Sequence, residues 1–447
     1  MENLNLVIVA FVGILLLLIL VIRLRIAAFV ALLLVSILVG LAAHMPMADI
    51  IDSIKNGMGG TLGFVAIVVG LGAILGQLLE ASGGVDRIAR TILSKLGQNR
   101  AQWGLGLTGF IVAIPVFFDV AFIILVPVVY GLAQRSGRSL LYYAVPLLAG
   151  LAVAHSFVPP TPGPIAVTEL LQADLGWVIL FGLLAGIPAM IIAGPLFGHY
   201  IAQRIEVPVP AFFEEAVATQ DAKQSLSFFQ VCSVVLLPLA LIMLNTLAPF
   251  IFPGDSVAID IFHFLGHPFV ALLIATLFAM FLVGTKCDFS KQQLLAVANK
   301  GLEPAGVVIL VTGVGGAFKQ LLIDSGVGAV LGELMAGSGL PLVLLAFLIA
   351  AITRIAQGSA TVAMVTAAGL VAPITELYDT TVIKLSLLVI AISAGATILS
   401  HVNDSGFWLV NRYLAINEKQ TLLSWTVLTT LIAIVGLSVT LIISVFI

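Results

Sequence analysis

Residues 155–164 read His-Ser-Phe-Val-Pro-Pro-Thr-Pro-Gly-Pro and interrupt an apolar run that extends over 140–170. Four prolines and a glycine in the last six positions cannot continue a helix, because proline lacks the N–H donor and its ring clashes with the preceding turn. The apolar flanks place this break in hydrocarbon, where free backbone groups find no water. The unwound backbone needs protein or water partners, so it is expected to line a cavity. Composition requires the membrane independently. Of 447 residues, 61% are hydrophobic and 9% charged, with mean hydropathy +1.21. A soluble domain carries about 25% charged residues, so a water-solvated globular enzyme is excluded. The fold class is an all-α polytopic membrane protein.

Outward from the break, runs near the ~20 residues that cross a bilayer fall at 4–22, 26–43, 60–80, 140–170, 176–202, 227–252, 266–285, 303–323, 383–411 and 422–446. That makes about ten full spans. Leu4–Ile22 is long enough to span and no small-residue cleavage site follows, so it is expected to remain as the first span. Two further stretches, 101–134 and 339–374, are too long for one span and are interrupted midway. Pro115 and Asp119 break the first, and Arg354 with Gln357-Gly358-Ser359 breaks the second. Arms of about 14–16 residues reach only ~21–24 Å, short of the ~30 Å hydrocarbon core. Both stretches read as re-entrant helical hairpins.

With both termini outside (periplasmic) and each hairpin returning to its own side, 15 of the 19 basic residues fall inside. Arg23, Arg25, Arg87, Arg90, Lys95, Arg100, Arg135, Arg138, Arg204, Lys223, Lys286, Lys291, Lys300, Arg412 and Lys419 make up that set. Outer loops carry Asp174, Asp255, Asp260, Glu376 and Asp379. The positive-inside rule selects this topology. Reading either hairpin as a single span flips every later loop and destroys the asymmetry.

The halves echo each other. Gln77-Leu78-Leu79 with Ser82-Gly83 recurs as Gln320-Leu321-Leu322 with Ser325-Gly326, an offset of 243. In each half a hairpin is followed by a helix broken near a histidine, His155 at 140–170 and His401 at 383–411. Residues 1–202 and 227–447 thus read as inverted repeats, and the polar stretch 203–226 as a cytoplasmic linker. Inverted repeats with broken helices are the architecture of secondary transporters, with binding at the breaks.

Four interruptions carry the chemistry. Pro115-Val116-Phe117-Phe118-Asp119 places a carboxylate in hydrocarbon, which costs several kcal/mol unless it is paired or protonated. Asp119 reads as a proton-coupling group or as the cap of the second arm. His155 stands at the proline-rich break, with Thr161 and Gly163 inside it. Arg354, Gly358, Ser359 and Thr361 surround the second hairpin tip, where a helix N-terminus favours an anion. Arg354 reads equally as a ligand for a carboxylate and as a tie to Asp404. His401-Val402-Asn403-Asp404-Ser405 packs an imidazole, an amide, a carboxylate and a hydroxyl into one apolar span. Phe407 and Trp408 read as packing residues. Glu80, Glu303, Lys319 and Asp324 lie near span ends, and the glycines at 57–60 and 313–316 suit close helix contact.

Other classes find little support. Cys232 and Cys287 offer neither a disulfide framework nor a metal spacing. The chain has no Walker motif, no HExxH and no basic cluster. No cofactor, metal or nucleic acid is expected, and the composition gives the lipid bilayer as a partner.

These motifs resemble those of the gluconate:proton symporter (GntP-type) family, within the ion transporter superfamily. The resemblance covers the whole chain, through GGTLG at 59–63, FFD at 117–119, HSFVPP at 155–160, PGP at 162–164, GGAFKQ at 315–320, GSATVA at 358–363 and HVNDSGFW at 401–408. Thr161 stands where the family usually carries a histidine. The resemblance implies proton-coupled uptake of a small anionic solute, gluconate or a related sugar acid, across a bacterial inner membrane. The alternative within this fold is D-serine or another small hydroxy or amino acid. It also implies a scaffold of outer spans that is often dimeric. On this reading Thr161, Gly163, Arg354, Gly358, Ser359, Thr361, Asn403 and Ser405 bind solute, while Asp119, His155, His401 and Asp404 handle protons.

Overall fold

Helix ends fall where the sequence withdraws a donor or admits a left-handed residue. The structure, a computed structural model, describes residues 2–97, 100–210, 226–251, 257–330, 340–375 and 380–447. Most of the linker (Glu214, Glu215, Asp221 and Lys223 included) and the outer-loop acids Asp255, Glu376 and Asp379 lie outside the described residues. The first half runs α1 (Glu2–Leu18), α2 (Ala28–Ala42), α3 (Met47–Ala81), α4 (Gly84–Leu96), α5 (Ala101–Val112), α6 (Phe118–Ser136), α7 (Leu141–Phe157), α8 (Pro162–Leu171) and α9 (Leu175–Ala202). The second runs α10 (Phe228–Ile251), α11 (Val257–Gly266), α12 (Pro268–Lys286), α13 (Lys291–Asp324), α14 (Leu342–Gln357), α15 (Ala360–Thr375), α16 (Val382–Gly395), α17 (Ser405–Tyr413) and α18 (Glu418–Ser444). No strand occurs among the described residues. Among the described residues, eight helical stretches are long and apolar enough to cross a membrane, and shorter apolar helices accompany them. The chain is a multi-pass membrane protein.

Several boundaries differ from the hydropathy reading. The run at 60–80 is the end of a 35-residue helix starting at Met47, and the run at 303–323 belongs to a 34-residue helix that passes through Pro304. Hydropathy stops at the first charges, whereas a helix with caps and a packed face does not. Ser290 and Gln293 form a capping box at the start of α13. The arms of the first turned-back stretch are unequal, 12 residues in α5 and 19 in α6, against 16 and 16 in α14 and α15. The amphipathic α4, bounded by left-handed Gly83 and by Gly97, is an element that the hydropathy runs do not contain.

Close glycine contacts fix the packing twice over. Helices α3 and α13 lie antiparallel. A methyl placed on Gly57 would come 2.5 Å from the Gly316 carbonyl and 2.6 Å from Gln320 Cβ. On Gly301 it would come 2.8 Å from the Ala73 carbonyl and 3.1 Å from Gln77 Cβ. Each helix thus seats a glycine on the other's glutamine; the glutamines are related by the offset seen in the sequence and the glycines to within one residue of it. In the first half Gly150 of α7 sits on the Gly106 carbonyl and the Phe110 amide of α5. In the second, Gly395 of α16 sits on the Phe347 carbonyl and the Ala351 amide of α14.

Helices α5 and α7 run in the same direction: Gln102 donates to the Tyr142 carbonyl at 2.9 Å, and further along Gly109 meets Leu147 and Leu151. Between them the chain therefore goes out along α5 and returns along α6. Helix α7 is buried on nearly every face, and α16 is buried from Ser386 to Gly395. These two helices carry the breaks; the one at 158–164 is buried, while the one at 398–405 is exposed at Leu399, Val402, Asn403 and Ser405. Helices α1 and α2 pack on the far side of α13, through Leu17, Leu32 and Val35 against Val314, Phe318 and Leu321.

Candidate functional site

Four interrupted helices converge on one cavity of about 500 Å³. Its size falls within the range of small-molecule sites. The first wall is the α5–α6 corner. Gly76 of α3 lets that corner rest on the helix, since a methyl there would come 2.1 Å from the Pro115 carbonyl. Asp119 lies in the first turn of α6 and opens into the cavity, with no hydrogen bond or ion pair to a described residue.

The second wall is the α7–α8 break. Helix α7 ends at Phe157, Val158 is extended, and Pro162 opens α8, where a missing N–H costs nothing. His155 and Ser156 line the cavity, and the buried His155 Nδ1 has no partner among the described residues. The His155 ring lies 6.3 Å from that of Phe117, so this wall meets the first. Thr161 is used otherwise. Its hydroxyl donates to the Val158 carbonyl at 2.8 Å, and it borders a separate space of about 10 Å³ behind the break. Gly163 faces Met364, whose Sδ would lie 2.5 Å from an added methyl.

The third wall is the α14–α15 corner. Gly358 ends α14 at φ +81°, a left-handed conformation that glycine adopts freely. A methyl there would also come 2.3 Å from the Asn403 carbonyl. Arg354 is 4% exposed and already committed: one terminal nitrogen donates to the Gly358 carbonyl, the other to Asp404 Oδ2 at 2.5 Å. Its Nε is buried and has no partner among the described residues. Gly358, Ser359, Ala360 and Thr361 line the cavity at the N-terminus of α15, where backbone N–H groups lack intrahelical partners and the dipole is positive.

The fourth wall is the α16–α17 break. Asp404 caps α17 by accepting the Gly406 N–H at 3.2 Å, while its other oxygen accepts from Arg354 and the Ser400 hydroxyl. Ser400 Oγ accepts from the Trp425 indole at 2.6 Å. Asn403 and Ser405 line the cavity. His401 does not: it shares the Ile355 carbonyl with the Asn403 amide, at 3.1 and 2.9 Å. Trp408 donates to the Val402 carbonyl at 2.8 Å.

The cavity thus gathers Asp119, His155, Arg354, Gly358, Ser359, Thr361, Asn403, Asp404 and Ser405, and leaves Thr161, Gly163 and His401 in its supporting structure. Of the two readings of Arg354, the tie to Asp404 is the one formed. That pair cancels its own charge, so Asp119 is the acid on the wall without a counter-charge. Three of the weaker candidates are ties near helix ends, while Glu303 lies exposed within α13. Lys319 donates to the Leu170 carbonyl at 2.8 Å, Asp324 accepts from Ser53 and Gln320, and Glu80 accepts from Gln77.

Gln357, Ser156, Thr397, Trp425 and Thr429 also line the cavity. Gln357 and Ser156 stand beside residues already singled out, and their polarity in an apolar run was a usable signal. Thr397, Trp425 and Thr429 carry none, because helix packing alone brings them there.

Broken helices meeting at an internal polar cavity define the class, a membrane permease that moves a small solute past its own interior. The sequence profile of the GntP family permeases matches residues 4–446, and the chain belongs to that family. It is 42% identical to the low-affinity gluconate transporter of Escherichia coli K12, over 98% of this chain and 97% of that one. Identity to the gluconate permease of Pseudomonas aeruginosa is 41%, over 96% and 95%. Identity to the Gnt-II system L-idonate transporter of E. coli K12 is 38%, over 95% and 96%. The fold is similar to that of the YdaH transporter of Alcanivorax borkumensis, with TM-score 0.61 and 16% identity, over 89% of this chain and 90% of that one. It is also similar to Neisseria gonorrhoeae MtrF, with TM-score 0.64 and 14% identity, over 88% and 84%.

Proposed function

We propose that this permease takes up gluconate or a related sugar acid together with protons across a bacterial inner membrane. The observation that carries the reading is one cavity holding both an anion-attracting wall and an acid without a counter-charge. The solute carboxylate sits at the N-terminus of α15, near Ser359, Thr361 and Arg354. Its hydroxyls meet Asn403, Ser405 and the Gly358 backbone. An anion beside ionised Asp119 is repelled, and beside protonated Asp119 it is not. Proton and solute then favour each other's binding by the same free energy. His155, on the adjoining wall and with a ring nitrogen that has no partner among the described residues, passes the proton. Asp404 holds Arg354 in place, while Thr161, Gly163 and His401 keep the breaks in shape.

The same proposal includes the membrane arrangement: both termini periplasmic, the 203–226 linker cytoplasmic, and hairpins 101–134 and 339–374 re-entering from opposite sides. The paired glycine contacts of α3 with α13, and of α5–α7 with α14–α16, support inverted repeats over 1–202 and 227–447. The working unit is a homodimer. The test is uptake by proteoliposomes under an imposed pH gradient, across a panel of sugar acids, hydroxy acids and D-serine. Accumulation of gluconate against its gradient, collapsing with the pH gradient, is expected. Facilitated flux indifferent to pH, or preference for D-serine, would overturn the reading.

A further inference from the structure

Ser400 lies in the break between α16 and α17, is 1% exposed, and does not line the cavity. One helix, α18, takes three of its polar groups. The Ser400 N–H donates to the Thr429 hydroxyl at 3.2 Å, its carbonyl accepts from the Thr426 hydroxyl, and its Oγ accepts from the Trp425 indole at 2.6 Å. The Ser400 hydroxyl in turn donates to Asp404 Oδ2. Helix α18 thus fixes Ser400, Ser400 fixes Asp404, and Asp404 fixes Arg354, which holds the Gly358 carbonyl. Directly after Gly358 come Ser359, Ala360 and Thr361, the cavity wall at the N-terminus of α15.

The start of α18 is shaped for this contact. Residues 422–426, Leu-Leu-Ser-Trp-Thr, form a π-helical turn although they contain neither proline nor glycine. The π turn of α9, by contrast, contains Gly194 and Pro195. Single π turns are rare and are found frequently at functional sites. Here the turn sets Trp425 and Thr426 against Ser400, and Thr429 follows one turn on. The Trp425 ring also lies 5.3 Å from that of Phe118, next to Asp119. A helix N-terminus holds an anion through the N–H groups that point at it, so the placement of α15 decides how well a carboxylate fits. Resting on the sugar-acid reading above, we infer that Ser400 is a positioning residue: through Asp404 and Arg354 it sets the anion-binding end of α15 relative to α18. Such a residue acts without touching the solute, by holding the groups that do.

The experiment measures KM and maximal rate of labelled gluconate uptake, per folded molecule, with the full chain in proteoliposomes. Thr426→Val keeps the shape of the side chain, removes the hydroxyl bound to the Ser400 carbonyl, and alters no residue that lines the cavity. It should raise KM roughly three- to tenfold and keep the maximal rate within about twofold of wild type. Ser400→Ala should raise KM by at least as much. Because the two residues act in series, the double variant should match Ser400→Ala and not multiply the single effects. Thr440→Val removes a hydroxyl that bonds Gly436 within α18 itself and should leave KM unchanged. The isosteric Thr426→Val serves alone if Ser400→Ala does not fold. A merely structural serine would give lowered yield with KM unchanged, and that result overturns the inference. Multiplying effects in the double variant, or an equal rise in Thr440→Val, overturns it as well. Absence of gluconate uptake by the wild-type protein overturns the transport reading itself.

Discussion

Arg354 reaches Asp404 at 2.5 Å and the Gly358 carbonyl with its other terminal nitrogen, so it fastens the α14–α15 corner to the start of α17. Lysine keeps the charge but not the planar fork that spans both acceptors. Arg354→Lys and Asp404→Asn should therefore reduce the yield of folded protein and the melting temperature in detergent. Breaking a buried pair costs about 3–5 kcal/mol. Unchanged melting with raised KM for Arg354→Lys would return the residue to direct solute binding. Asp119 is the contrasting case. It bonds no described residue, so Asp119→Asn should change stability by no more than about 0.5 kcal/mol, yet abolish accumulation driven by a pH gradient. Solute binding by that variant should persist and lose its pH dependence, since the amide mimics the protonated acid. These residues were legible in the sequence because a charge in an apolar run stands out. Which partner Arg354 takes was not legible: the Arg354–Asp404 contact joins positions 50 apart, and only folding brings them together.

At the scale of the helix, backbone contacts decide which glycines matter. Gly150→Ala places a methyl 2.1 Å from the Gly106 carbonyl, with both helices held by the rest of their packing. Overpacking of this kind costs about 1–3 kcal/mol, and the variant should show a lowered melting temperature. Gly59→Ala meets nothing within 4 Å and lies inside α3. It should be neutral or stabilising by up to about 1 kcal/mol, the helix-propensity difference. Equal melting shifts for the two would deny that α5 and α7 touch through their backbones. The breaks at 113–117 and 158–161 were legible because proline declares itself in any context. The start of α3 at Met47 was not, since its first turns carry charge and owe their helicity to the α13 face, where Ser53 donates to Asp324 at 2.6 Å. Amphipathic α4 escaped for the same reason, because a hydropathy window averages its apolar face with its polar one.

Over the whole molecule, the orientation and the coupling remain as linked proposals. With Cys232 and Cys287 replaced, His263→Cys should react with an impermeant maleimide in intact cells and Glu206→Cys should not. The reverse labelling would invert the topology. The class of fold was legible from composition and span length. The convergence of four breaks on one cavity was not, because it depends on how α3 and α13 bring the halves together. The cavity matters for function only if anion and proton occupy it together, and solute-induced proton movement tests that most directly. Proteoliposomes carrying a trapped pH indicator, with no gradient imposed, should acidify inside when gluconate is added outside. Those bearing Asp119→Asn should not acidify. Gluconate entry without acidification in the wild-type protein, or acidification at the wild-type rate in the variant, would contradict proton coupling through Asp119.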